Sequence, residues 1–289
     1  MSKRLLLLSN STNIGEEYLF YPRQEIKKFL GSSVNKIVFI PFAAVTSTYQ
    51  HYTKKVEKVF QDIGYEVDAI HLVENPHELI KNAEAVVVGG GNTFHLIHCL
   101  HQTQLLEDIR NKVSNGTPYI GWSAGSNVAC PTIKTSNDMP IIEPISFQGL
   151  NLVPFQINPH YTNAVIPNHN GETREQRLEE FLVLNPDIYV VGLPEGTMLK
   201  IEDSSIRLIG NKTIYLFKFG QEKQEYYPND NLDFRFIRYF YGELIEKCQF
   251  NKLRNRKLLK LRKPYPSLLI NLSLLLIPST VPLVVLPSK

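Results

Sequence analysis

Gly121-Trp122-Ser123-Ala124-Gly125 is the stretch of this chain whose residue types and spacing could do chemistry. Glycines two before and two after a serine let the backbone turn sharply from strand to helix. The hydroxyl is then lifted to where a base and a substrate can both reach it. Such a nucleophile elbow supports acyl transfer. Ordinary turns share the spacing, so the surroundings must decide between the two.

A serine hydroxyl needs a base, and the base needs a carboxylate to orient it. Eight histidines are available. His95, His98 and His101 recur every third residue on a predicted helix. That spacing drifts around the helix, and no ligand carboxylate accompanies it, so a metal is not expected there. His160 differs, because it closes Gln156-Ile157-Asn158-Pro159-His160, a polar segment suited to a strand end. Two acids compete for the third role. Asp138 lies in the turn-like Ser136-Asn137-Asp138-Met139-Pro140. Glu195 lies in Gly192-Leu193-Pro194-Glu195-Gly196, just after the buried run 188–191. Gly89-Gly90-Gly91-Asn92 reads either as a strand-to-helix turn capped by Asn92 or Thr93, or as an oxyanion hole. In the second reading the Ala124 N–H, next to the nucleophile, is the other donor.

The elements that must position these groups alternate along the chain. Largely apolar runs at 4–9, 36–41, 83–88 and 118–122 read as strands, and 65–72 is strand-like as well. Helical patterns fall at 16–30, 49–63, 76–82 and, as one long helix, 93–113. Strands that are apolar throughout and separated by helices imply an α/β fold: a doubly wound, mostly parallel sheet covered on both faces. Ligands bind such sheets at the carboxyl ends of the strands, where both the triple glycine and Ser123 lie.

Composition narrows the class. The chain has 289 residues, of which 43% are hydrophobic and 20% charged, enough for one substantial core. Its net charge of +3 divides unevenly: residues 251–289 hold eight Lys or Arg and no acid, leaving −5 over residues 1–250. The acidic body carries no nucleic-acid footprint. Three scattered cysteines suit a reducing compartment, and the apolar run at 5–8 is too short for a signal peptide, so a cytoplasmic protein is expected.

Taken in order, VVVGGGNTF, YIGWSAGSN, ACPTIKTSNDMPI, LNLVPFQINPHYTN, GETREQR and GLPEGT resemble the aspartyl dipeptidases (dipeptidase E) of the serine peptidase family that includes cyanophycinases. The likeness spans residues 3–236. It implies a class I glutamine amidotransferase-like fold and hydrolysis of dipeptides with an amino-terminal aspartate, with no metal and no cofactor. Carried over residue by residue, it makes Ser123 the nucleophile and His160 the general base. Either Asp138 or Glu195 stands behind the base. Glu195 is favoured, because it fits the nucleophile–histidine–glutamate order of the related fold. Gly90, Gly91 and Ala124 would form the oxyanion hole, and Arg174 with Asn92 would bind substrate. Arg174 follows Thr173, which with Gln176 also satisfies a capping box.

The rival readings are an isoaspartyl or cyanophycin-type peptidase and a non-catalytic binding module on the same fold. The catalytic domain is expected over 1–236, with 237–289 a basic and apolar extension outside the family fold. A membrane anchor at 268–286 is disfavoured by Pro278 and Pro282. The expected partner is a small dipeptide, and a homodimer stays open.

Overall fold

The computed structural model describes residues 3–165, 170–203, 205–228, 230 and 232. The expected extension over 237–289 lies outside the described residues. In chain order the elements are β1 (Arg4–Leu8), α1 (Arg23–Leu30), β2 (Lys36–Ile40), α2 (Tyr49–Asp62), β3 (Glu66–Ala69), α3 (Pro76–Asn82) and β4 (Val86–Val88). Then come α4 (Thr93–Gln102), α5 (Leu105–Ser114), β5 (Tyr119–Trp122), α6 (Ala124–Asn127), β6 (Gln156–Pro159) and α7 (Arg174–Leu184). The strands β7 (Val190–Leu193), β8 (Met198–Glu202), β9 (Ser205–Ile209), β10 (Ile214–Phe217) and β11 (Gln224–Tyr226) complete the list.

The main sheet has seven strands in the order β3-β2-β4-β5-β1-β8-β9. The first five are parallel, and β8 and β9 continue the sheet antiparallel. The expected α/β class with a mostly parallel sheet is what the chain adopts. Successive side chains of a strand point to opposite faces. Leu5 and Leu7 accordingly enter one apolar cluster with Leu96, Ile97 and Ile109, while Leu6 and Leu8 enter another with Ile26, Val56 and Phe60. Both faces are covered, which is why these strands read as unbroken apolar runs. In β9, by contrast, Arg207 is exposed between the buried Ile206 and Leu208, the alternation of a half-covered strand.

A second sheet of four strands, ordered β11-β10-β7-β6, accompanies the first. Here β6 and β7 are parallel, with Pro159 opposite Leu193. Histidine 160 and the turn bearing Glu195 therefore leave adjacent strand ends on the same side. Central strand β5 ends at Ser123, its neighbour β4 at the glycine loop, and its other neighbour β1 at Ser9 and Asn10.

Two expected helices differ in extent. The segment 16–22 turns instead of joining α1, because Leu19 adopts a left-handed conformation (φ 53°) and Pro22 disfavours helix at the residue before it. The long helix expected at 93–113 is two helices, parted at Gln104 (φ 57°). Buried Thr93, Leu96, Ile97 and Leu100 set one stripe, and Leu105, Leu106, Ile109 and Val113 set another out of phase with it. A single straight helix could not bury both. The strand expected at 65–72 is shorter too, since residues 70–72 close it in a 3₁₀ turn.

The backbone passes so closely at the elbow that a Cβ on Gly125 would lie 2.2 Å from the Val88 carbonyl oxygen. Gly125→Ala must displace backbone rather than a flexible side chain. It is expected to cost about 1–3 kcal/mol of stability, as overpacked cores do, measurable by urea denaturation. A midpoint equal to that of the parent would contradict the packing described.

Candidate active site

Ser123 sits between β5 and α6 with φ 53° and ψ −112°, a conformation that L-residues rarely adopt and that costs on the order of 1–3 kcal/mol. Its surroundings hold it there. The Ser123 N–H donates to Leu8 O at 3.1 Å, and the buried Ser126 hydroxyl lies 2.6 Å from Leu8 O and 2.8 Å from Gly121 O. This geometry is that of a nucleophile elbow.

His160 also has a positive φ, 53°. Its N–H donates to Ser9 Oγ at 2.9 Å, and that hydroxyl donates to Leu193 O at 2.7 Å, so the end of β1 clamps the histidine backbone. The imidazole reaches both ways: Nε2 is 2.9 Å from Ser123 Oγ and Nδ1 is 2.7 Å from Glu195 Oε1. A carboxylate accepts, so the ring carries its proton on Nδ1 and leaves the Nε2 lone pair facing the serine hydroxyl. The His160 and Glu195 side chains are 38% and 44% exposed, which leaves the pair open to water and to substrate from one side. On the other side Asn10 steadies the Glu195 turn, its Oδ1 accepting the Gly196 N–H at 2.8 Å.

Asp138 is engaged elsewhere. Its Oδ2 accepts from Thr93 N–H at 2.8 Å, Thr93 Oγ1 at 2.5 Å and Ser136 Oγ at 3.1 Å, which fastens the 136–138 turn to the start of α4. Asn92 is the N-cap of that helix. Its Oδ1 accepts from His95 N–H at 3.0 Å and its Nδ2 donates to Met139 O at 2.9 Å, so both ends of the amide have protein partners. Of the two competing acids, only Glu195 touches the histidine.

The glycine loop lies against the elbow. A Cβ on Gly90 would be 3.1 Å from Ser123 Cβ and 2.9 Å from the Trp122 ring, and Gly91 has φ 139°. Among the described residues the N–H groups of Gly90 and Gly91 meet no acceptor, and the Ala124 N–H opens α6, where backbone donors have no helical partner. A cavity of about 850 Å³ is lined by Ser123, His160, Gly90, Gly91, Asn92, Asp138, His51 and Tyr52, among others.

Arg174 opens α7 behind Thr173, whose hydroxyl accepts from Gln176 N–H while Gln176 Oε1 accepts from Thr173 N–H; the expected capping box is formed. Its guanidinium is half-buried and has no hydrogen bond or ion pair to the described residues. Burial lowers its pKa, Arg177 adds to that, and the charges of Asp138 and Tyr161 oppose it. The helix histidines take separate paths: His95 bonds Phe42 O, His98 bonds Glu143 O and His101 bonds Gln148 O. Each ring meets a different carbonyl.

Ser9 and Asn10 belong to the site although none of the sequence motifs includes them. Their signal was the polar run that follows four leucines at a strand's carboxyl end.

The sequence model of Peptidase family S51 matches residues 5–209. The chain belongs to Peptidase family S51. Peptidase E from a Nostoc species is 93% identical over 234 residues, covering 81% of this chain and 97% of that protein. Peptidase E from Shigella flexneri is 49% identical over 218 residues, 75% of this chain and 95% of its own. Among solved structures, a peptidase from an acI-B1 Actinobacterium superposes with a TM-score of 0.61 at 19% identity, covering 81% of this chain and 98% of that one. A putative Peptidase E from Listeria monocytogenes gives 0.54 at 22% identity, covering 73% and 100%. At those identities the two structures speak for the α/β fold alone. This S51 peptidase is thus a serine peptidase, and among its described residues no helix is long and apolar enough to cross a membrane.

The hydrogen bonding separates the two acids. Glu195→Gln would present an amide to Nδ1 and unsettle the tautomer, lowering kcat by on the order of 10³–10⁴. Asp138→Asn leaves the histidine contact alone and should lower kcat by about tenfold or less, while loosening the α4 cap by about 1 kcal/mol. Steady-state kinetics on both variants decides it; near-normal turnover by Glu195→Gln is the result that counts against the assignment.

Proposed function

We propose that this S51 peptidase hydrolyses dipeptides whose amino-terminal residue is aspartate, through an acyl-enzyme on Ser123. The observation that carries the reading is the unbroken line from Ser123 Oγ through His160 to Glu195, with contacts of 2.9 and 2.7 Å. His160 takes the serine proton as Ser123 Oγ attacks the single peptide carbonyl. Glu195 holds the ring in the Nδ1–H tautomer and stabilises the imidazolium that forms. The Gly90, Gly91 and Ala124 N–H groups, which meet no acceptor among the described residues, receive the oxyanion. His160 then gives its proton to the departing amine. A water, deprotonated in turn by His160, releases aspartate and restores the hydroxyl.

Selection for aspartate needs a cation, and Arg174 is the proposed one. Half-buried and with no ion pair to a carboxylate among the described residues, it can present its planar fork to the substrate side chain. Asp138 and Asn92 act on this reading by fixing the start of α4 and the wall of the cavity. Cys99 and Cys130 are free thiols, which suits an enzyme working in the reducing cytoplasm.

Assays of Asp-Leu, isoaspartyl-Leu and Leu-Leu with the parent and Ser123→Ala test the reaction class. The parent should cleave Asp-Leu far faster than the other two, and Ser123→Ala should lose at least about 10³ of that rate. Preference for the isoaspartyl bond, or activity surviving in Ser123→Ala, would refute the proposal. Arg174→Lys keeps the charge but not the fork, and should cut kcat/KM for Asp-Leu by about tenfold to a hundredfold. Its rate on Leu-Leu should stay put; an unchanged ratio between the two substrates sinks the role given to Arg174.

A further inference from the structure

The glycine loop is held by a side chain that belongs to none of the sequence motifs. Tyr52, on α2, lies against Gly89 so closely that a Cβ there would be 2.6 Å from the tyrosine hydroxyl. Only glycine leaves the ring its place. The Tyr52 hydroxyl has three partners: Trp122 Nε1 at 3.0 Å, the Tyr18 hydroxyl at 3.2 Å and Gly90 O at 3.0 Å. Their chemistry fixes the direction of every bond. An indole N–H only donates and a carbonyl only accepts. The one proton on Tyr52 therefore goes to Gly90 O, and the Tyr18 hydroxyl must donate to the lone pair left over. Burial raises the pKa of the Tyr52 phenol, which favours the protonated hydroxyl.

The Gly90 carbonyl and the Gly91 N–H belong to one planar peptide unit and point in opposite directions. Anchoring the oxygen at one end of that plane sets the direction of the N–H at the other. The Gly91 N–H has no acceptor among the described residues, and Gly91 shares a cavity wall with Ser123. Trp122, the second donor to Tyr52, is the residue immediately before the serine. A single oxygen is thus bonded to both the elbow and the loop.

We propose that Tyr52 is a positioning residue for acyl transfer, whose hydroxyl, through the Gly90 carbonyl, aims the Gly91 N–H at the oxyanion and fixes its distance from Ser123. This rests on the reading of Ser123 as nucleophile and of the glycine loop as oxyanion hole. It predicts an effect confined to the transition state, because the ground-state carbonyl carries far less charge for the N–H to meet.

The test compares Tyr52→Phe, Gly89→Ala, Phe39→Leu and Ser123→Ala with the parent. Each is assayed for Asp-Leu hydrolysis and for affinity toward an aspartyl boronate, which forms a tetrahedral adduct with a serine. Removing an oxyanion donor outright costs about 10²–10³ in kcat, so tilting one in Tyr52→Phe should cost about tenfold to a hundredfold. KM should stay within about twofold, the boronate should weaken in proportion to kcat, and the pH profile should not move. Gly89→Ala pushes the same hydroxyl aside and should show the same pattern, which keeps the question open to a result if Tyr52→Phe folds poorly. Phe39 packs edge-on to Tyr52 with centroids 5.2 Å apart and stacks on Trp122 at 6.0 Å. Phe39→Leu therefore loosens the aromatic cluster while leaving every hydrogen bond, and its kcat should stay near that of the parent. A Tyr52→Phe enzyme with parental kcat, a loss lying wholly in KM, or an equal loss in Phe39→Leu would each overturn the inference. If those results come with an inactive Ser123→Ala, the inference alone fails; an active Ser123→Ala removes the reading beneath it as well.

Discussion

Two consecutive residues at the end of β1 hold both reacting side chains. The Leu8 carbonyl oxygen receives the Ser123 N–H and lies within hydrogen-bond distance of the Ser126 hydroxyl, which pins the elbow in its left-handed turn. The Ser9 hydroxyl accepts from the His160 N–H and donates to Leu193 O. The nucleophile belongs to the main sheet and the base to the second sheet. The end of β1 fixes the 2.9 Å between them. Both serine and histidine sit at φ 53°, a conformation a free chain would relax from, so their alignment depends on these bonds persisting.

That dependence explains why the end of β1 is polar immediately after four buried leucines. The aliphatic run anchors the strand in two apolar clusters, one on each face of the sheet. The polar residues that follow then supply bonds at defined positions: Ser9 to the base, and Asn10 to Gly196 beside the orienting glutamate. On the other flank of β5 the glycine loop is located by close packing against Trp122 and by the Tyr52 hydroxyl. Rigid strands on either side of the serine hold donors, base and nucleophile in register, which is the arrangement electrostatic catalysis requires.

Much of this was legible in the sequence, because the groups that react are also the groups with the strongest local signatures. The elbow needed glycines at fixed offsets, the buried strands had to be apolar throughout, and Thr173 with Gln176 announced the cap they form. Other features depended on tertiary context. Nothing local to Asp138 says that its oxygen meets the Thr93 N–H and hydroxyl rather than a histidine, since that contact joins residues 45 apart. The preference for Glu195 came from the order of roles in a resembling fold, and the contact with His160 follows from the pairing of β6 with β7. The break at Gln104 was visible only as a slip in phase of the apolar stripe, and the turns before α1 only as a proline at 22. Tyr52 carried no signal at all: on α2 it reads as one more aromatic residue.

The most direct test of the central claim looks for the covalent intermediate on the serine. Mixing the parent with aspartyl p-nitroanilide, quenching in acid within the first turnover and digesting for mass spectrometry should find one aspartyl group on the peptide carrying Ser123. The same adduct should be absent when His160 is replaced by Ala. An aspartyl group on another residue, or rapid turnover with no adduct on Ser123 under conditions that trap acyl-enzymes, would contradict the account.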